Sequence, residues 1–300
     1  MARLDRVTLI AFLACVLLGG LNAVGVRYTV LELPPLWGAA LRFGPASALL
    51  FLVVLARRLP LPRRRSLLGA LIYGVLNGIS FCFLYWGLLR AQPGLSSVVL
   101  ALSPLMTLLM AVAYRQESLR WPALAGSLLA AAGVSLVFGE QLRAQLPVLN
   151  LLALVAGAVC LSWASVIIKG YPMGDPTSTN AIATGAGALV LLALSLLLGE
   201  SHVLPVRPET WSALGYLILF GTALLFVLIL FVLKRWTASA TSYITVLFPF
   251  ITISASALLG QERLSPALLA GALLVMAGVY VGAIRPASRQ MPAPPAGLKP

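Results

Sequence analysis

Long apolar runs alternate with short polar breaks along the whole chain, and the runs recur ten times. A membrane-spanning helix needs about 20 predominantly apolar residues. Runs of that order occupy residues 8–30, 36–56, 67–89, 96–115, 122–140, 148–170, 177–199, 211–233, 239–260 and 266–284. The breaks carry helix punctuation, among it Pro34-Pro35, Pro60-Leu61-Pro62, Gln92-Pro93-Gly94, Trp121-Pro122, Asp175-Pro176, Pro208 and Ser265-Pro266. Proline suits a helix start because the N–H it lacks would be unpaired there anyway. The pattern predicts an all-α integral membrane protein of ten transmembrane helices. The stretch 285–300, RPASRQMPAPPAGLKP, has no apolar periodicity and reads as a disordered cytoplasmic tail.

The pattern also repeats. Residues 90–135 lie on residues 235–280 without a gap, at a constant offset of 145. Matched identities include Arg90/Arg235, Leu102/Leu247, Pro104/Pro249, Thr107/Thr252, Gln116/Gln261, Glu117/Glu262, Gly126/Gly271 and Gly133/Gly278. The chain therefore divides into two five-helix repeats, 8–140 and 148–284. Five is odd, so the repeats are expected to insert with opposite topology. Inverted repeats of this kind are how many transporters are built.

Composition agrees. The chain is 60% hydrophobic and 10% charged, with mean hydropathy +1.00, whereas a soluble protein carries about 25% charged residues. The net charge of +13 does not indicate nucleic acid, because the basic residues flank apolar runs, as in Arg57, Arg58, Arg63, Arg64 and Arg65. Such flanks set membrane orientation. With the N-terminus inside, inner segments hold 15 Lys and Arg and outer loops hold four, Arg90, Arg143, Arg207 and Arg263; Arg27 and Arg42 lie within runs. Both termini are therefore expected in the cytoplasm. The first run, after Arg3 and Arg6, reaches Val30, too long for a signal peptide, and reads as a retained span. Cys15, Cys82 and Cys160 lie inside runs without metal spacing and read as small packing residues.

The two copies read LSPLMTLLMAVAYRQESLRWPALAGSLLAAAGVSL and LFPFITISASALLGQERLSPALLAGALLVMAGVYV. This helix–Pro–helix, Glu turn, Gly-seven-Gly arrangement resembles the EamA domain of the drug/metabolite transporter superfamily. PPLWGAALRF, with Arg42, and NGISFCFLYWGL are similar to the second and third spans of that family. Two departures stand out. Gly19-Gly20 occupies the place of a Trp-Gly pair, and Ala183 stands where the second half would match Arg42. The resemblance covers residues 8–284. It implies a bacterial inner-membrane exporter of small metabolites, with substrates across the family ranging from amino acids to nucleosides and drugs.

Polar residues inside the runs are the candidate sites. Tyr73, Asn77, Phe81 and Tyr85 are spaced by four, on one helical face. Such a stripe must face the bundle interior or a cavity; the alternative is helix–helix hydrogen bonding, worth ~0.6 kcal/mol on average. Asn22, Trp163 and Tyr243 complete the expected substrate-binding set. Arg42 lies about seven residues into the second run, where a charge costs about 2.5–3.5 kcal/mol unless it pairs or snorkels. It is either a carboxylate anchor or bonded to helix-end carbonyls. Pro104 and Pro249 each remove a backbone hydrogen bond, as static kinks or as paired hinges. The glycine pairs Gly74/Gly78, Gly126/Gly133 and Gly271/Gly278 read as helix packing.

The eight acids, Asp5, Glu32, Glu117, Glu140, Asp175, Glu200, Glu209 and Glu262, fall at loops or run ends, and His202 lies in a loop. A proton relay needs such a group in the membrane interior, so transport without obligatory proton coupling is expected. No enzyme motif, metal set or cofactor site is present in the sequence. The partners expected are a small-molecule metabolite and membrane lipid, with no nucleic acid. The function expected is export of amino acids, aromatic or otherwise neutral, or similar metabolites by alternating access. The alternatives are a nucleoside or drug exporter and, from another class, an intramembrane enzyme on lipid precursors.

Overall fold

The computed structural model describes residues 6–118, 121–143, 147–260 and 265–284. Arg120, Gln261, Glu262, Arg263 and the tail 285–300 lie outside the described residues. Helices α1 (Arg6–Gly20) and α2 (Asn22–Val30) form one broken rod, followed by α3 (Pro35–Ala56) and α4 (Arg65–Leu88). A second broken rod consists of α5 (Pro93–Leu100) and α6 (Ser103–Ala113), and α7 (Trp121–Arg143) ends the N-terminal half. The C-terminal half opens with α8 (Val148–Lys169) and α9 (Pro176–Leu197). Then α10 (Pro208–Ile218), a π-helical segment Leu219–Leu224 and α11 (Leu225–Arg235) form one long rod. After it come α12 (Ala238–Ser242), a 3-10 segment Tyr243–Leu247, α13 (Phe248–Leu258) and α14 (Pro266–Ile284).

Among the described residues every regular element is helical. Eight stretches are long and apolar enough to cross a membrane: Arg6–Val30, Pro35–Ala56, Arg65–Leu88, Pro93–Ala113, Val148–Lys169, Pro176–Leu197, Pro208–Arg235 and Ala238–Leu258. The chain is a multi-pass membrane protein. Helices α7 and α14 carry shorter apolar stretches, Leu124–Val137 and Pro266–Gly278.

Local chemistry explains the boundaries. Proline stands in the first turn of α3, α5, α6, α9, α10 and α13. The Asp175 carboxylate accepts from the N–H groups of Thr177 (2.9 Å) and Ser178 (3.1 Å), closing the start of α9. Four of the rods are interrupted. The first breaks at Leu21, directly after Gly19-Gly20, two weak helix formers in succession. Pro104 and Pro249 sit in the first turns of α6 and α13, after the break in each rod rather than inside a kinked helix. The fourth interruption is the π-helical segment, which no residue pattern announced.

Lipid tails are as apolar as leucine, so close packing by small residues holds such helices together. A Cβ on Gly74 would come within 2.2 Å of the Ala183 carbonyl oxygen, so α4 and α9 touch backbone to backbone. Helices α7 and α14 meet in the same way: a Cβ on Gly133 would lie 2.6 Å from Gly271 O, and one on Gly278 would lie 2.4 Å from Gly126 O. Gly126 faces Gly278 while Gly133 faces Gly271, so the two helices run antiparallel.

Gly278→Leu is expected to force α7 and α14 apart and to destabilise the fold by ~1–3 kcal/mol. Gly139→Leu is the control, because a Cβ there meets nothing within 4 Å. Thermal unfolding of the purified variants compares the two, and equal midpoints would refute the tight interface.

Candidate functional site

A cavity of about 80 Å³ lies between the two halves. That volume holds roughly five to eight waters. The N-terminal half contributes Asn22 (α2), Tyr73 and Asn77 (α4), and Ser103 and Thr107 (α6). The C-terminal half contributes Leu161, Ser162 and Ser165 (α8), Leu225, Phe226 and Ile229 (α11), Thr241 and Ser242 (α12), Ile244 and Thr245 of the 3-10 segment, and Phe248 (α13). The lining surface is mostly apolar, set with the amides of Asn22 and Asn77 and several hydroxyls, and among the described residues it contains no Asp, Glu, His, Lys or Arg.

Each break in a rod helps to shape this space. At the first, a Cβ on Gly19 would overlap the Phe248 ring at 2.2 Å, so only glycine lets that ring approach. The Gly20 carbonyl, freed at the same break, accepts from Thr252 Oγ1 at 2.6 Å. Immediately after the break, Asn22 donates Nδ2–H to Gly221 O at 3.2 Å. Asn77 donates Nδ2–H to Tyr73 O, one turn back along α4, at 2.9 Å.

Arg42 lies beside the cavity and is not part of its lining. It is fully buried, at 0% exposure. Its Nε donates to Thr222 Oγ1 (2.5 Å) and its Nη2 to Gly221 O (2.7 Å). The guanidinium carbon stands 4.8 Å from the Phe81 ring centroid and 5.6 Å from that of Phe43. Both polar partners belong to the π-helical segment, where the widened turn leaves a carbonyl available to side chains. Gly221 O thus receives two donors, Arg42 and Asn22, from two helices of the other half.

Of the residues expected to contact substrate, Asn22, Tyr73 and Asn77 come together in the cavity. Phe81 and Tyr85 continue the α4 stripe away from it, into an aromatic block. Phe81 packs edge-on to Phe43 (4.9 Å between centroids) and against Phe226 (5.7 Å) and Tyr85 (6.4 Å). Tyr243 begins the 3-10 segment whose next residues, Ile244 and Thr245, reach the lining, though Tyr243 does not. Trp163 is placed differently from expectation. It sits on the side of α8 opposite Ser162 and Ser165, is 40% exposed, and donates Nε1–H to Tyr114 Oη at 2.9 Å. At 100° per residue, a position next to a cavity-facing Ser162 turns away from the cavity.

Several lining residues lay outside the sequence reading: Ser103, Thr107, Ser162, Phe226, Thr241, Ser242, Thr245 and Phe248. Thr107 carried a signal, being matched by Thr252 at the 145 offset. The serines and threonines carried none, since their hydroxyls bond readily to the preceding turn of any membrane helix.

The description that matches this sequence is "EamA-like transporter family", and it matches twice, over residues 6–139 and 149–283. This chain belongs to the EamA-like transporter family. It is a membrane transporter of that family. It is 25% identical to an uncharacterized transporter of Archaeoglobus fulgidus, over 87% of this chain and 93% of that one. It is 28% identical to a "probable amino-acid metabolite efflux pump" of Salmonella typhimurium, over 90% and 92%. A third relative, the uncharacterized inner membrane transporter YedA of Escherichia coli strain K12, is 28% identical over 85% and 83%. One solved crystal structure shares the fold with a TM-score of 0.71 at 24% identity, covering 93% of this chain and 98% of the other.

In this EamA-family chain Glu32, Glu200 and Glu117 each bind the opposite half. Glu32, between α2 and α3, accepts from the N–H groups of Val206 (2.5 Å) and Arg207 (3.1 Å), at the start of α10. Reciprocally, Glu200, after α9, accepts from the N–H groups of Leu36 (3.2 Å) and Trp37 (2.8 Å), at the start of α3. Trp37 Nε1 adds a bond to Val203 O at 2.6 Å. Carboxylates are favoured at helix N-termini, where unpaired N–H groups and the helix dipole point outward. At the other end of the bundle Glu117 accepts from the backbone N–H (3.2 Å) and hydroxyl of Ser239, in the first turn of α12.

The Thr210 hydroxyl, then the Val206 N–H, hold the Glu32 carboxyl below its usual range, outweighing the small opposing effect of desolvation. A depressed carboxyl contributes stability that is complete above its unfolded pKa, ~4.3. That contribution is lost as pH falls through the lower folded value. Glu32→Gln is therefore expected to lower the melting temperature at pH 7, with the difference from wild type shrinking below about pH 4. A pH-independent difference would remove the charge from the clamp.

Thr222→Val strips Arg42 Nε of its acceptor inside the core. We expect a loss of ~1–3 kcal/mol, the cost of an unsatisfied buried donor. Chemical or thermal unfolding of the purified variant measures it, and wild-type stability would show that Arg42 does not depend on the π-helical segment.

Proposed function

We propose that the chain exports amino acids, aromatic or otherwise neutral, or similar small metabolites across a bacterial inner membrane by alternating access. The observation that carries this reading is the cavity between the halves, an apolar wall carrying uncharged amides and hydroxyls. A hydrophobic solute would not need its serines, threonines and asparagines, and a strongly charged one would find no counter-ion in its walls. The printed names of relatives from Salmonella typhimurium and Escherichia coli, amino-acid metabolite efflux pumps, point the same way. The chemistry is binding and release, with no covalent step and no cofactor.

In this reading ten helices cross the membrane as two inverted repeats, with α7 and α14 as the fifth and tenth spans. Their antiparallel glycine pairing supports it, because Gly126–Gly278 becomes Gly271–Gly133 when the halves are exchanged at the 145 offset. Both termini face the cytoplasm, as the basic residues indicate. The Glu32 and Glu200 clamps then lie at the periplasmic end of the bundle and the Glu117–Ser239 contact at the cytoplasmic end. Release outward requires the Glu32 and Glu200 clamps to part, and entry from the cytoplasm requires the Glu117–Ser239 contact to part.

The transport step needs no proton relay, because the lining holds no Asp, Glu or His. Proteoliposomes tested with a panel of labelled neutral amino acids should show exchange that is indifferent to an imposed pH gradient. Concentrative uptake driven by that gradient alone would overturn the uncoupled mechanism, and no transport of any panel member would overturn the substrate class. A reporter fused at Pro300 should be active only in its cytoplasmic form.

A further inference from the structure

We infer that the cavity selects its substrate through a primary amine or ammonium group, gripped by the side-chain oxygens of Asn77 and Asn22, rather than through a carboxylate. The inference rests on the transport reading and names the part of the substrate that the site recognises. Its starting point is the direction in which the two amides face. Backbone carbonyl oxygens can only accept hydrogen bonds. The amide atom bonded to Tyr73 O must therefore be Asn77 Nδ2, and the one bonded to Gly221 O must be Asn22 Nδ2. That fixes an orientation which electron density alone often leaves ambiguous. Both donor ends are thus tied to the protein, and both Oδ1 atoms are left buried without a partner.

An amide oxygen accepts and never donates. The hydroxyls of Ser103 and Thr107, in the same lining, are also buried without a partner and can accept as well. The unsatisfied capacity of the cavity is therefore mostly acceptor capacity. Leaving such groups unpaired is costly, and a ligand bearing several N–H donors removes that cost. An ammonium carries three donors. Phe226 and Phe248 also line the cavity.

A carboxylate finds much less. It can be bonded only by hydroxyls, since the lining has no Lys, Arg or His. Arg42 is the cation nearest to Asn22 through their shared acceptor, Gly221 O. Its Nε and Nη2 already face the Thr222 hydroxyl and that carbonyl, and its guanidinium lies over the Phe81 and Phe43 rings; Nη1 is buried without a partner, but Arg42 is not part of the lining.

The test uses three ligands on one carbon skeleton: leucine, 3-methylbutylamine, which lacks the carboxylate, and 4-methylpentanoate, which lacks the amine. Binding to the purified full-length protein in lipid nanodiscs is measured by titration calorimetry. The amine should bind at least about tenfold more tightly than the acid, as expected where a site loses its hydrogen-bonding partner. Asn77→Leu should abolish that preference and leave the weak acid binding unchanged. This variant keeps α4 intact, because Tyr73 O still accepts the backbone N–H one turn on. Asn22→Leu gives an independent reading, since Gly221 O retains Arg42. Equal or tighter binding of the acid, no binding of the amine, or an amine preference that survives both variants would each overturn the inference. Acid-selective binding with intact amino-acid transport in liposomes would sink this inference alone, and amine-selective binding without transport would sink only the function.

Discussion

A permanent charge in an apolar core must be satisfied locally, and in this protein that charge is Arg42. Insertion of an arginine costs about 2.5–3.5 kcal/mol at a helix centre. The offsetting contacts are two charge-assisted hydrogen bonds to Thr222 and Gly221 and a face-on approach to Phe81. Hydrogen bonds to charged groups contribute ~1.5–3 kcal/mol each, so this set offsets much of the cost, while Arg42 Nη1 stays buried without a partner. It does so only where α3 meets the π-helical segment between α10 and α11. The requirement joins the two halves at mid-depth. It also orients Asn22, which uses the same Gly221 carbonyl, and so reaches the cavity wall without Arg42 entering it.

The ends of the bundle are joined by a second kind of contact. Glu32 and Glu200 each bind the helix start of the other half, and Glu117 does so at the far end. Side-chain carboxylates on backbone N–H groups can be made and broken without unfolding a helix, because the helix start loses only its external partners. Mid-depth contacts of Arg42 and the glycine faces of α4, α7, α9 and α14 have no such freedom. A Cβ at Gly74, Gly133 or Gly278 would already collide with backbone.

The cavity lies where four rods are irregular. The Leu21 break, the gap before Pro104, the 3-10 segment before Pro249 and the π-helical segment all supply or position its lining or the groups bonded to it. Within a membrane, irregular backbone is tolerated only where protein or a polar cavity satisfies it. Thr252 on Gly20 O, and Asn22 and Arg42 on Gly221 O, are such satisfactions.

The sequence by itself determined the helical, multi-pass membrane character, the doubled pattern, the family and the absence of charge from the apolar-run interiors other than Arg27 and Arg42. These depend on composition and period, and lipid enforces both with a penalty for every exposed polar group. It also marked Asn22, Tyr73 and Asn77, because an amide or phenol in an apolar run has few places to go. Only the tertiary structure decided which way each such residue turned. Trp163 and Ser162 are neighbours in sequence, yet one faces Tyr114 outside the cavity and the other lines it. Phe81 and Tyr85 share a stripe with Asn77 but pack with Arg42's aromatic neighbours instead. A helical period fixes a residue's angle relative to its own helix, whereas the helix's rotation and its partners are set by long-range packing. The π-helical segment was illegible for the same reason: the donors that satisfy its carbonyl lie 179 and 199 residues away.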